Sequence, residues 1–459
     1  MIAAFCALLS GAAFYFSIQI GSIWPLAWVA PIPLWWLTYG KTPGWQVLLA
    51  CWSAYTIGMC NMLPAYLGHL PSQILVVAIV LPGLIFGAVA LVARFVSQRL
   101  TPLAGPMVSA ALWTAVEYAL SFGPNGTASS WAYSQVGAPA LIQSASVFGL
   151  WIITFALVFF SSAIALAIAR RQATPAIAAV LFFAANAGYG CARLYTAHSG
   201  ELVRVGLAAD DRFPFPVNEQ AEADKAVNSY GNEVRLLAED GVRLVVFPEK
   251  IAALSPAWRA AVIAKLGQAA RETNTTVVMG FDDRAAGMRR NNALVFTPAD
   301  TAPREYDKRH LVPGLEDPFE PGIDGFILPD GTGVAICKDM DFPVTLRADA
   351  AGHLTLMAVP AWDFHGDRWW HARLAIMRSV ENGFSLARAA KEGLLTLSDA
   401  YGRVVAEKPT TYEGMVCLVG EVPRGPATTL YQHLGDVFAW AAMALGVLLP
   451  SAAMIRRPR

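Results

Sequence analysis

The sequence predicts a multi-span α-helical membrane domain joined to a water-soluble α/β domain, and three observations carry that expectation. Charge is segregated: of the 68 Asp, Glu, Lys and Arg residues, the first 200 positions hold only Lys41, Arg94, Arg99, Glu117, Arg170, Arg171 and Arg193. Apolar segments of the length that crosses a bilayer, about 20 residues, recur through that same region. Beyond position 201 the pattern changes to short apolar runs separated by amphipathic stretches, which is how a layered α/β domain reads.

The apolar segments fall at 3–20, 23–40, 45–67, 73–96, 104–122, 140–168 and 174–195, with an eighth at 434–455. The domains are therefore expected at 1–200, 201–433 and 434–455, the middle one being the α/β domain. The first segment has no basic residues before it and reads as a retained span, not a cleaved signal. Lys and Arg collect in cytoplasmic loops, and here they follow segments two, four, six and eight, while the loops after one, three and five have none. That alternation places both termini in the cytoplasm and the 201–433 domain on the far side of the membrane, with Arg193 as the exception. Glu117 stands in an apolar segment, where a carboxylate is costly. A position near the outer interface with a hydrogen-bonding partner is the expectation, ahead of a direct chemical role.

A formal net charge of zero gives no basic footprint for nucleic acid. The six cysteines show no closely spaced pair of the metal-knuckle or redox kind, so no metal, disulfide framework or cofactor is expected. In the α/β region, strands are expected at 242–248, 275–281, 292–296, 333–337 and 354–360, and helices at 218–239, 256–273 and 367–382. Three reactive groups stand where such elements end. Glu249 follows "LVVFP", where a buried strand emerges. Lys308 lies in "YDKRHLVPGLE", whose Pro313 and Gly314 make a turn-rich loop. Cys337 ends "GVAIC". Each has a bland reading, and for Cys337 it is core filling, the commoner fate of a cysteine. Together they offer a nucleophile, a base and a cation for an oxyanion, a set suited to acyl transfer. A lysine ammonium nearby would favour the thiolate of Cys337.

The ordered segments "FPEK", "YDKRHLVPGLE" and "ICKDMDFP" resemble the signature blocks of the nitrilase, or carbon-nitrogen hydrolase, superfamily. That resemblance implies an αββα sandwich and a catalytic Glu-Lys-Cys triad at Glu249, Lys308 and Cys337. It also implies supporting roles for Glu316 and for Asp339, which stands where the superfamily's amidases have Asp. "RLAIMRSVENGFSLARAAKEGLLTLSDAYGRV" is similar to the superfamily's helix and following strands. "WPLAWVAPIPLWWL", "WTAVEYAL" and "YSQVGAPALIQSASVFGLWIITF" resemble the membrane half of the apolipoprotein N-acyltransferases, so the likeness covers nearly the whole chain.

By that likeness the chain would be an N-acyltransferase of the bacterial inner membrane. It would move an acyl chain from a phospholipid, through a Cys337 thioester, to the N-terminal amine of a diacylglyceryl lipoprotein. Departures keep a second activity open, a membrane-anchored amidase that uses water as acceptor, and a third reading, an inactive binding module. The stretch "VGLAADDRFPFP" lacks the transferase's Gln-x-Asn phrase, the 29 positions from Lys308 to Cys337 are too few for its mobile, lipid-facing arm, and the compact Glu249-to-Lys308 interval predicts a small lid. Lys338 reads as a second cation for the thiol or as a solvated neighbour pointing away. Trp362 reads as lining for the substrate pocket, ahead of an interfacial anchor.

Overall fold

The computed structural model describes residues 1–197, 200–214, 216–284 and 287–456; Phe215 of the departing stretch and the last three residues of the terminal basic run lie outside them. Within these residues the chain divides into two compact units, Met1–Thr196 with His433–Arg459, and Ala197–Gln432.

In the first unit five helices are long and apolar enough to cross a membrane: Gly44–Tyr66, Ser72–Ser97, Trp151–Arg170, Ala173–Tyr195 and Val437–Ile455. Helices Ile2–Ser17 and Ala104–Leu120 are shorter, at 16 and 17 residues. The expected segment at 23–40 is two helices, Trp24–Val29 and Ile32–Tyr39. Pro31 and Pro33 explain the break, because each removes a backbone N–H that an uninterrupted ladder through 24–39 needs, whereas Pro25 sits harmlessly in the first turn. The segment expected from 140 becomes one long helix only at Trp151; Gly149, at φ 68°, ends the preceding short turn. Close crossings use small residues: a Cβ on Gly190 would stand 1.7 Å from the carbonyl oxygen of Ala140.

Glu117 is buried in this unit and bonded by three neutral donors. Ser130 Oγ donates to Oε2 at 2.6 Å, Thr154 Oγ1 to Oε2 at 2.7 Å and the Trp131 amide to Oε1 at 3.0 Å. The carboxylate thereby ties helix Ala104–Leu120 to the following loop and to helix Trp151–Arg170. Trp131 continues from this clamp into a cluster of rings with Phe14, Tyr55, Phe86 and Trp113.

The second unit carries twelve strands: β1 (Leu202–Asp210), β2 (Leu244–Val246), β3 (Ala253–Leu254), β4 (Thr276–Asp283), β5 (Arg290–Phe296), β6 (Arg304–Asp307), β7 (Thr332–Val334), β8 (Leu356–Trp362), β9 (Ser385–Lys391), β10 (Leu394–Ser398), β11 (Val404–Pro409) and β12 (Met415–Pro423). One sheet runs β12-β1-β2-β4-β5-β6 with β3 on β4, and the other β11-β10-β9-β8-β7. Both are mixed. β1, β2 and β4 are parallel, as are β7, β8 and β9, whereas β12 and β5 join antiparallel.

Val205, Leu207, Val246 and Val278 of the first sheet share one core with Val334, Leu356, Ala387 and Leu397 of the second, so the sheets pack face to face. The outer face of the first sheet is covered by helices Gln220–Glu239 and Pro256–Thr273 through Val227, Val234, Val262 and Leu266. Helix Arg368–Asn382 packs on the other sheet. The result is the αββα sandwich. The central apolar strands read continuously because both faces are buried.

Candidate active site

Three loops, leaving strands β2, β6 and β7, build the site. The first leaves β2 as Phe247-Pro248-Glu249-Lys250. It lies against β4 at Gly280, whose amide donates to the Pro248 carbonyl at 3.0 Å. Only glycine permits that approach, since a Cβ at position 280 would stand 2.4 Å from Glu249 Cα. The second loop follows β6, and Lys308 is anchored at its start by a bond from its amide to Asn291 O at 2.8 Å. The third follows β7: Cys337 has φ 43° and opens one turn of 3-10 helix, Cys337–Asp341. A left-handed backbone at a non-glycine residue is strained and marks functional turns.

These loops bring Glu249, Lys308 and Glu316 into one buried cluster. Lys308 Nζ stands 2.9 Å from Glu316 Oε2 and 3.5 Å from Glu249 Oε1. Two residues that the sequence did not single out complete it. Lys250 Nζ stands 2.7 Å from Glu316 Oε1 and 3.5 Å from Glu249 Oε1. Asn291 Nδ2 donates to the same two oxygens at 2.7 and 3.3 Å. Burial opposes the charge of Lys308, but Glu249 and Glu316 overcome it and hold the ammonium well above its ordinary range. Burial likewise opposes ionisation of Glu316, and Lys308 and Lys250 reverse it, so that carboxyl lies well below the usual range. Lys308 and Glu316 thus hold each other as an ion pair, with the Glu249 carboxyl and the Lys250 amino group packed against them. Among the described residues, none donates a hydrogen bond to the buried Glu249 Oε2.

Cys337 is half-buried, packs against the edge of the inter-sheet core, and its Sγ lies 3.5 Å from the carbonyl oxygen of Trp362. The sulfur feels the charges of Glu249, Lys308, Arg388 and Asp363. Burial first, and then the Glu249 carboxylate, push the thiol well up, against Lys308 and Arg388. Desolvation outweighs the neighbouring ammonium, so the resting group is S–H and needs a base to take its proton.

Asp339, buried, binds the second and third loops together. Its Oδ2 accepts from Tyr306 Oη at 2.7 Å and the Ile336 amide at 2.9 Å, and its Oδ1 from the amides of Arg309 at 3.1 Å and His310 at 2.9 Å. Lys338 is buried and its ammonium pairs with Asp341 at 3.4 Å, so it is not a solvated neighbour. Trp362 presents its ring 5.2 Å from Lys250 Nζ, and its indole N–H donates to Glu392 Oε2 at 3.2 Å. Behind the sulfur, Arg388 and Asp363 form a buried ion pair. Among the described residues no group of three or more His, Cys, Asp or Glu is arranged to hold a metal ion.

Lys250 was visible in the sequence only as a basic residue beside a carboxylate. Asn291 lay in an Asn-Asn pair opening a strand, where a polar residue facing a core signals an interior partner. Such an arrangement can take a proton from a thiol and hold a developing negative charge beside an ammonium.

The Apolipoprotein N-acyltransferase N-terminal domain model matches residues 10–163 and the Carbon-nitrogen hydrolase model matches 215–425. An apolipoprotein N-acyltransferase of Geobacter metallireducens is 27% identical, over 98% of this chain and 95% of that protein. One of Pseudomonas aeruginosa is 27% identical, over 80% of this chain and 77% of its own length. Among solved structures, an amidase from Nesterenkonia sp. is 21% identical over 50% of this chain and 93% of its own, with a TM-score of 0.41. The chain thus carries an apolipoprotein N-acyltransferase N-terminal domain followed by a carbon-nitrogen hydrolase domain, and it is similar to apolipoprotein N-acyltransferases along nearly its full length.

Proposed function

We propose that this enzyme transfers an acyl chain from a phospholipid to the N-terminal amine of a diacylglyceryl lipoprotein through a thioester on Cys337. The observation that carries the chemistry is the asymmetry of Glu249. Its Oε1 is held by Lys308, Lys250 and Asn291, whereas its buried Oε2 accepts no hydrogen bond from the described residues. A carboxyl group anchored through one oxygen beside a protonated thiol is placed to act as the general base.

In the first half-reaction Glu249 takes the Cys337 proton as sulfur attacks the donor's ester carbonyl. The oxyanion forms beside Lys308 Nζ. The intermediate collapses by breaking the C–O bond, and the departing lysophospholipid oxygen takes the proton from Glu249. In the second half-reaction the acceptor's neutral amine attacks the thioester and gives its proton to Glu249. The C–S bond breaks, sulfur recovers the proton, and an amide is released. Two half-reactions sharing one enzyme form give ping-pong kinetics.

Both substrates carry acyl chains that resist leaving a bilayer, which suits five helices able to cross one. By its likeness to the apolipoprotein N-acyltransferases the protein would lie in the bacterial inner membrane, and the alternation of Lys and Arg between loops would set residues 201–433 on the extracytoplasmic face. Trp362, whose carbonyl meets the sulfur, would line the acyl pocket.

Purified protein incubated with a labelled phospholipid and a diacylated lipopeptide should yield lysophospholipid and triacylated peptide. Without acceptor, the label should remain on Cys337 until released by neutral hydroxylamine. Release of ammonia from small amides with no transfer would overturn this reading in favour of the amidase that the short Lys308-to-Cys337 interval suggests.

A further inference from the structure

We propose that Lys250 is a positioning residue whose ammonium balances the buried charge around Glu249, keeping the base ionised and Lys308 available to the oxyanion. The inference rests on Glu249 acting as the base, and it concerns a residue next to it in sequence that the reaction scheme does not itself use.

Lys250 is held in the left-handed region, φ 47°, which turns its side chain back into the cluster it follows. Its ammonium is buried, 2.7 Å from Glu316 Oε1 and 3.5 Å from Glu249 Oε1, and faces the rings of Trp362 at 5.2 Å and Phe319 at 5.6 Å. A left-handed backbone at a lysine is strained, and such strain persists where the surrounding contacts hold it. The charged groups around the carboxylates are Lys308 on the second loop, Lys250 on the first, and Arg289, whose guanidinium feels Glu316 while binding Asp282. Cys337 faces Glu249 and Lys308 from the third loop as a neutral thiol.

Within the inner cluster the count is therefore Glu249 and Glu316 against Lys250 and Lys308. Removing Lys250 leaves two carboxylates competing for one buried ammonium. Buried surplus charge is relieved by proton uptake. Since Lys250 is one of the two cations that hold the Glu316 carboxyl down, its loss raises the pH at which the cluster takes that proton. Glu316 would also draw Lys308 away from the oxyanion position. Lys250 thus sets the acid edge of activity without touching a reacting atom.

The test is the pH dependence of kcat/KM for acyl transfer in the full-length protein, with the rate of Cys337 alkylation by iodoacetamide as a second readout. Lys250→Met should move the acid limb up by about one pH unit or more, and Lys250→Arg should leave it in place. The double variant Lys250→Met with Glu316→Gln removes one charge of each sign and should bring the limb back. A uniform loss at every pH in Lys250→Met, with the limb unmoved, would show a purely structural residue and overturn the proposal. So would a shift that the double variant fails to reverse. If Lys250→Met does not fold, Lys250→Arg and the double variant still decide, because charge balance requires both to keep the natural limb. Glu249→Gln separates this inference from the one beneath it: activity surviving that change would remove the base itself, whatever Lys250 does.

Discussion

Two buried carboxylates, Glu117 in the membrane unit and Glu249 in the sandwich, solve the same desolvation problem in opposite ways. Glu117 is bonded by two hydroxyls and an amide, and both its oxygens are used. Glu249 is faced by two ammoniums and an amide on one oxygen, and its other oxygen has no hydrogen-bond partner among the described residues. Neutral donors that saturate a carboxylate make a clamp between helices. Cations that compensate it from one side, leaving the other side open, make a group that can accept a proton. The difference teaches that burial alone does not mark a reactive acid; the unspent acceptor does.

That contrast breaks most visibly at Glu249. Glu249→Gln keeps the shape and removes the base, so acyl transfer should fall by about 10²–10⁴-fold, measured as labelled acyl chain on a lipopeptide. Glu117→Gln should leave the turnover of folded protein within a few-fold. A loss of turnover in Glu117→Gln equal to that in Glu249→Gln would erase the distinction.

Asp339→Asn comes next. It replaces an acceptor serving both the Lys308 loop and the Cys337 turn by a group whose NH2 faces donors. A misplacement on the order of 1 Å costs about 10²-fold, and the loss should appear in kcat with the thermal midpoint little changed. Glu117→Ala sharpens the other side. Leaving Ser130, Thr154 and the Trp131 amide without their acceptor should cost about 1–3 kcal/mol, read as earlier unfolding in detergent, while Cys337 still alkylates at the natural rate.

The smallest effect is a pH window. Burial lowers the His371 imidazole, but Asp367, at 3.1 Å, reverses this and raises it to about 9 from 6.5. A folded-state value above the unfolded one stabilises fully below pH 6.5 and is lost as pH rises through about 9. Relative to His371→Gln, the natural protein should lose on the order of 1 kcal/mol across that window once solvent screening is allowed for. Equal pH dependence in both would show that the pair contributes nothing.

Much of the molecule was legible because hydropathy and period are local. The helix expected at 256–273 is Pro256–Thr273, and the strand expected at 354–360 is Leu356–Trp362. Where prolines interrupt an apolar run, as at 23–40, composition predicted a span and the backbone could not keep one helix. The three loops of the site were found by their residue types and order. Their partners were not: Asn291 belongs to a strand whose apolar pattern concealed it, and Lys250 looked like an ordinary basic residue.

By itself the sequence determined which part of the chain is apolar, which is layered α/β, and which Glu, Lys and Cys end up at strand ends, since these follow from the order of side chains along the backbone. Only the tertiary structure decided that the Cys337 thiol stays protonated, that a second lysine neutralises Glu316, and that one oxygen of Glu249 is left open. Desolvation and Coulomb interactions depend on distance through space, and here they act between groups, such as Lys250 and Glu316, that are 66 positions apart.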